Sequence, residues 1–369
     1  MRFVDVNPFF FPYKGGIERR MDDIAKRLAE MGHDVTILTS RLPDTEEEET
    51  DPSGYRIVRL KSSYLNIYNP PFVSTPGVLE ALESLDADVV NYNYRWAPSW
   101  NKALSRYSGP KLFTCHNMWG EGIGMAAKAS EINDRRFMKK VLPSFSHVVC
   151  VSRHVQTATI ERGWPAEKTS FVPCCLSEDP EPNCAPEGDY ILSLGRVVKT
   201  KGLKYMVEAM QDVDSKLIIC GKGPETKNLK RQISRLGLQD KIEMRGFVEE
   251  DEKERLMDGC KLFVMPSLFE SFGLAAIELM SRGRPIVCTD VNGLPDTVGK
   301  GGITVPPKDP KALAEAMNRL LSDGDLRESM GKLALEHAKS YSYERFIPKY
   351  ERILEDIASG KPVEPDLPE

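Results

Sequence analysis

Glu270 and Glu278 are the residues in this chain whose spacing best suits chemistry. They bracket the stretch E-S-F-G-L-A-A-I-E. The apolar run from Lys261 to Met265 predicts a buried strand before it, and Pro266 and Ser267 break that strand. A helix is expected next, with Ser271 as its N-cap and Arg282-Gly283 as its close. The amides of Ser271, Phe272, Gly273 and Leu274 would then be free at a helix start, a natural anion site. A phosphate there, with one carboxylate beside it and another deeper in, suits a phosphorylated, hydroxyl-rich ligand. The same spacing suits a capped helix with a solvated glutamate at each end. Arg196 and Lys201 strengthen the first reading. Both fall at a strand–helix junction, and two fixed cations beside a helix start are what a diphosphate requires.

Other groups stand apart from these. Gly15-Gly16 opens the first helix, where two glycines allow close approach to a diphosphate or simply form a tight turn. His116-Asn117 ends the strand Lys111 to Cys115. A histidine there either donates hydrogen bonds into a ligand crevice or serves the structure alone. Tyr92-Asn93-Tyr94-Arg95-Trp96 suits sugar or lipid-headgroup recognition, and equally suits packing. The helix Ala126 to Leu142 carries Arg135, Arg136, Lys139 and Lys140. These read as a solvated face or as a surface for anionic lipid or a phosphorylated acceptor.

The elements that must position these groups alternate strand and helix, so parallel sheets are expected. A length of 369 residues suits two cores rather than one. Hydrophobic residues make up 41% and charged residues 28%, as in a soluble globular chain. The net charge of −5 argues against a general nucleic-acid binder. Eight cysteines include no C-x-x-C pair, so buried thiols are expected rather than disulfides or a zinc site. The chain begins on a strand, with no signal peptide and no apolar run of bilayer length, which makes the cytoplasm the expected compartment. The alternation lapses from Cys174 to Gly188, a polar, proline-bearing stretch that reads as an interdomain connection. The expected domains are 1–175 and 189–341. Asp44 to Asp51 reads as a solvated loop, Val291 to Asp296 as a turn, and the tail from Ser359 as disordered.

Taken in order, these motifs resemble the family-four glycosyltransferases. The strongest is the E-x7-E motif, Glu270 to Glu278. L-G-R-V-V-K-T-K-G-L from Leu194, G-K-G-P from Gly221, G-F-V from Gly246, Gly15-Gly16 and His116-Asn117 follow the family's pattern over nearly the whole chain. The resemblance implies the GT-B fold, α/β, with two facing Rossmann-like doubly wound domains and a cleft that closes over the donor. A final helix, 342–358, would return to the first domain. It implies retaining transfer of a hexosyl group from a UDP- or GDP-sugar, with no cofactor and no obligatory metal. The acceptor would be a glycan, lipid-linked or small-molecule hydroxyl, with contact at the inner membrane face.

By the same resemblance, Glu278 would hold the ribose and Glu270 the donor sugar. Arg196 and Lys201 would neutralise the diphosphate, and the amides of Ser271, Phe272, Gly273 and Leu274 would complete its cradle. Gly15 and Gly16 would approach the phosphates, and His116 would bond the donor sugar near the reacting carbon. Lys222, Asn292 and Asp296 depart from the usual residues at positions bearing on donor-sugar selectivity. The competing readings are another GT-B activity, epimerase or phosphorylase-like, or a non-catalytic partner subunit. A nicotinamide-dependent oxidoreductase would require a G-x-G-x-x-G fingerprint, which the chain lacks.

Overall fold

The computed structural model describes residues 1–65, 71–177 and 187–368. Most of the expected connection, 178–186, lies outside the described residues, and Cys184 with it. The chain forms two compact units: Met1–Cys174 together with Glu344–Glu369, and Cys175–Tyr343.

The first unit runs β1 (Arg2–Val6), α1 (Gly16–Glu30), β2 (Asp34–Ser40), β3 (Glu48–Thr50), β4 (Arg56–Leu60), β5 (Ser63–Leu65), β6 (Phe72–Ser74), α2 (Val78–Ser84), β7 (Val89–Tyr92), α3 (Pro98–Arg106), β8 (Lys111–Cys115), α4 (Met125–Lys140), β9 (His147–Cys150), α5 (Arg153–Glu161) and β10 (Thr169–Phe171). Its main sheet has the order β10-β9-β8-β7-β1-β2-β4-β3. All neighbours are parallel except β3, which runs antiparallel to β4. The central strands are buried on both faces and are apolar for most of their length. Helix α1 turns Met21, Ile24, Ala25 and Leu28 to the sheet at helical spacing. Phe113 anchors an aromatic core, 4.9 Å from Phe137 and 6.0 Å from Phe145, and Tyr92 stacks on Phe145 at 6.3 Å.

The second unit runs β11 (Tyr190–Leu194), α6 (Leu203–Ala209), β12 (Lys216–Cys220), α7 (Thr226–Arg235), β13 (Ile242–Gly246), α8 (Glu250–Gly259), β14 (Leu262–Met265), α9 (Leu274–Met280), β15 (Ile286–Thr289), α10 (Leu294–Val298), β16 (Gly302–Val305), α11 (Pro310–Ser322) and α12 (Gly324–Ala338). Its parallel sheet has the order β13-β12-β11-β14-β15-β16. Ile191, Leu217, Leu262 and Val287 of the sheet pack with Met206 of α6 and Met317 of α11. Helix α11 starts where Asp309 accepts a hydrogen bond from the Ala312 amide at 3.0 Å, with Pro310 in its first turn. The last helix, α13 (Tyr343–Ala358), belongs to the first unit from Glu344 onward.

Three local expectations are overturned. The acidic loop contains β3, an exposed, charged edge strand. The turn after β15 contains α10, begun by Pro295 in its first turn. The C-terminal tail has no regular structure, yet it is tied down: Asp366 pairs with Lys349 and with Arg153, and accepts from the Phe171 amide at 2.9 Å.

Candidate functional site

The strand order of the second sheet reverses between β11 and β14. At such a switch point the loops leaving neighbouring parallel strands diverge and open a crevice. A small crevice lies there, lined by Gly195, Arg196 and Lys201 after β11 and by Pro266 and Ser267 after β14. The two loops lie against each other. Gly202 has φ +63°, and a Cβ on it would meet the Pro266 carbonyl oxygen at 1.9 Å, so only glycine fits. The Thr200 carbonyl accepts from the Leu268 amide at 2.7 Å. This contact brings Lys201 to Glu270, and the two form an ion pair. Arg196 is exposed and has no ion-pair partner among the described residues.

The backbone of Glu270 donates to Oδ1 of Asn292 at 3.3 Å. Asn292 has φ +48°, a conformation that asparagine tolerates better than most residues. That accounts for asparagine at a position where the family often has glycine. Glu278 sits inside α9, buried, and its carboxylate takes Nζ of Lys253 at 3.1 Å. Lys253 was not singled out from the sequence. It lies 25 residues away on α8, and only the fold brings it to Glu278.

Ser271 is not the cap expected of it. Helix α9 begins at Leu274, with Gly273 at its N-cap in the left-handed region at φ +99° and no side-chain cap. A Cβ at Gly273 would stand 2.8 Å from Leu294, so the packing of α10 against this turn selects a backbone cap over a serine. Ser271 and Phe272 are both buried in the turn before the helix.

In the first sheet the order reverses between β1 and β7. Gly16 is the first residue of α1, after an extended Gly15. A Cβ on Gly15 would come within 2.4 Å of the Glu18 carboxylate, which accepts from Asn7 Nδ2 at 3.2 Å. His116 is buried at the carboxyl end of β8, its Nε2 2.8 Å from Oδ1 of Asn93. Burial, with Arg20 and Arg95 nearby, holds its pKa well below the usual histidine value. Asn93 was read only as part of an aromatic stretch. Arg95 turns inward to a buried ion pair with Asp134 at 2.7 Å, between the rings of Trp96 and Trp119. It serves packing within the first unit.

Helix α4 presents Met125, Lys128, Ile132, Arg135, Arg136, Lys139 and Lys140 to solvent, while Asp134 and Phe137 are buried. Among the described residues no cluster of three His, Cys, Asp or Glu side chains could hold a metal ion. Nor is any helix among them long and apolar enough to cross a membrane.

Residues 14–179 match the family described as Glycosyltransferase Family 4, and residues 177–337 match Glycosyl transferases group 1. The chain is 26% identical over 373 residues to the phosphatidyl-myo-inositol mannosyltransferase of Mycobacterium leprae, covering 98% of each chain. Among solved structures, sucrose-phosphate synthase from Thermosynechococcus elongatus superposes with a TM-score of 0.81 at 19% identity, over 98% of this chain and 100% of the other. Anabaena HepE in complex with UDP-glucose gives 0.75 at 19% identity, over 98% and 100%. The two matched segments follow one another across both doubly wound units, and the chain belongs to the family-four glycosyltransferases, enzymes of the GT-B fold.

Proposed function

We propose that this glycosyltransferase moves a hexosyl group from a UDP- or GDP-sugar to a hydroxyl of a glycan, lipid-linked or small-molecule acceptor, with retention at the anomeric carbon. The observation that carries the reading is the switch point of the second sheet. There an exposed Arg196 stands beside Lys201, itself held by Glu270. A nucleoside diphosphate gains negative charge as it departs, and fixed cations stabilise that charge as it develops. Arg196 and Lys201 supply them, and the turn from Ser271 to Leu274 closes round the phosphates. Glu278, steadied by Lys253, accepts from the ribose hydroxyls. Glu270 meets the donor sugar, and Gly15 and Gly16 leave room for the phosphates. His116 meets a sugar hydroxyl. The bound UDP-glucose of HepE supports the donor class.

With two cations at the diphosphate, a divalent ion is not required. The name of the M. leprae relative supports a lipid-linked acceptor. The outward face of α4 supports contact with a membrane from the cytoplasmic side, because cations there alternate with exposed Met125 and Ile132. The reading is tested by a screen of nucleotide sugars, with and without EDTA, scored by mass spectrometry for slow donor hydrolysis and by NMR for the anomer released. One or a few donors should be hydrolysed with retention, at a rate EDTA leaves unchanged. Inert donors throughout, inversion, or a loss restored only by Mg²⁺ or Mn²⁺ would each count against the corresponding part.

A further inference from the structure

The imidazole of His116 is fixed from behind by a chain of buried polar groups. Asp5 of β1 and Asn91 and Asn93 of β7 and its exit are all buried. Oδ1 of Asp5 accepts from Nδ2 of Asn91 at 2.8 Å and from Nδ2 of Asn93 at 2.5 Å. Nδ2 of Asn93 also donates to the Val6 carbonyl at 3.2 Å. Oδ1 of Asn91 accepts from Thr114 at 2.8 Å. These contacts determine which end of the Asn93 amide is which. Reversed, its oxygen would face a carboxylate and a carbonyl, two acceptors with no proton between. In the orientation observed, Oδ1 of Asn93 faces His116 and also takes Nδ2 of Asn91 at 3.2 Å.

An amide oxygen can only accept, so the proton of the ring lies on Nε2. Burial and two neighbouring guanidinium groups keep the ring neutral. A neutral imidazole has one N–H, and that one is already directed at Asn93. Nδ1 therefore carries the lone pair, and it has no hydrogen-bond partner among the described residues. We propose that Asp5 and Asn93 are positioning residues that hold His116 as a hydrogen-bond acceptor, with Nδ1 taking its hydrogen bond from a substrate hydroxyl. This rests on the transferase reading above and reverses the polarity expected from sequence, where His116 was to donate. A ring so hard to protonate is a poor general base at neutral pH, so it orients the hydroxyl without removing its proton.

Long-range ¹H–¹⁵N spectra of the full chain, labelled at histidine and assigned with His116→Gln, test the tautomer directly. His116 should show a protonated Nε2 and a bare Nδ1, unchanged from about pH 8 to pH 7. Asn93→Ala should replace that signature with a mixture of tautomers. It should also lower kcat roughly 10- to 100-fold, as misplaced catalytic groups do, with KM for the donor changed less than about threefold. A wild-type ring protonated on Nδ1, or an imidazolium at pH 7, overturns the proposal. So does an Asn93→Ala enzyme that loses activity only in proportion to its folded fraction while the His116 signals stay unchanged. The wild-type spectrum requires neither a variant that folds nor a known donor. An inert enzyme with the expected spectrum would mean that the transferase reading has failed; the wrong spectrum in an active enzyme would mean that this one has.

Discussion

Arg196 and Lys201 carry the same charge at one rim, but their surroundings differ. Arg196 is exposed, whereas Lys201 is held against a Glu270 side chain that is only 14% exposed. Replacing either with Ala should weaken binding of a nucleoside diphosphate by about 1.5–3 kcal/mol, the range for hydrogen bonds to charged groups. Lys201→Ala should also lower the melting temperature, because it leaves a mostly buried carboxylate without its cation. Arg196→Ala should not. Calorimetry and thermal unfolding separate the two, and unchanged affinity in both variants would remove the phosphate assignment. A second residue-scale effect concerns acid. Burial lowers the pKa of His147 to about 4, while its Nε2 lies 2.8 Å from Ser170 Oγ. Unfolded, it titrates near its ordinary value of about 6.5. Its folded pKa is depressed, so the unfolded chain binds the extra proton, and stability falls as pH drops from about 6.5 to 4, by roughly 3 kcal/mol. Asp5 works in the opposite sense: burial raises its pKa to about 6, so its charged form costs stability as pH rises from about 4 to 6. His147→Gln should remove only the first effect. Urea unfolding at pH 4.5 and 6.5 should then show wild type gaining about 2–3 kcal/mol more than the variant over that interval. All four tryptophans lie in the first unit, so their fluorescence follows the unit that holds both groups. Parallel pH profiles would refute the assignment.

At the scale of elements, the crevice of the second sheet is walled by loops pressed together rather than by long helices. Gly202 tests this. Alanine there must adopt φ +63° and also place its Cβ 1.9 Å from the Pro266 oxygen. Gly237 is a control, with φ +68° and open space around it. Gly237→Ala should cost about 1–2 kcal/mol, the penalty of a left-handed residue alone. Gly202→Ala should cost roughly 2–4 kcal/mol and nucleotide affinity as well, because the Lys201 and Glu270 loops must part. Equal losses in the two variants would mean that the loop contact is unimportant. This contrast also marks how far the sequence could be read. The strand Lys111–Cys115 matches its sequence reading to the residue, because a mostly apolar stretch between breakers admits few alternatives. The strand β3 did not declare itself, since an exposed edge strand of three acidic or polar residues has no apolar pattern and forms only because β4 is there to pair with it. Ser271 misled because good capping chemistry was overruled by the packing of Leu294 on Gly273. Lys253 and Asp5 were invisible for another reason: their partners lie 25 and 88 residues away. The one local signal was Asp5, Asn91 and Asn93 themselves, polar residues within or just after apolar strands, where burial demands partners.

At the scale of the whole molecule, the first unit is made from two separated pieces of chain. Its sheet is complete at Phe171, yet part of its cover arrives with α13. Tyr350 packs edge-on against Phe3 at 6.4 Å, and Phe346 against Phe171 at 5.7 Å. Glu351 meets His33 at 2.7 Å, and Lys349 donates to the Phe171 carbonyl at 2.8 Å. The second unit is contained in a single uninterrupted segment, Cys175–Tyr343. On the ribosome this reverses the order of completion. The half synthesised first must wait, with Phe3 and Phe171 uncovered, until α13 leaves the exit tunnel, while the half synthesised second can finish before it. Nascent chains arrested with residue 342 just outside the tunnel should therefore resist protease in the second unit and be cut in the first, and release of the full chain should protect both. Protection of the first unit before α13 emerges would show that the returning helix is dispensable for folding. Otherwise a stop codon just before α13 would leave the first unit, rather than the second, unfinished.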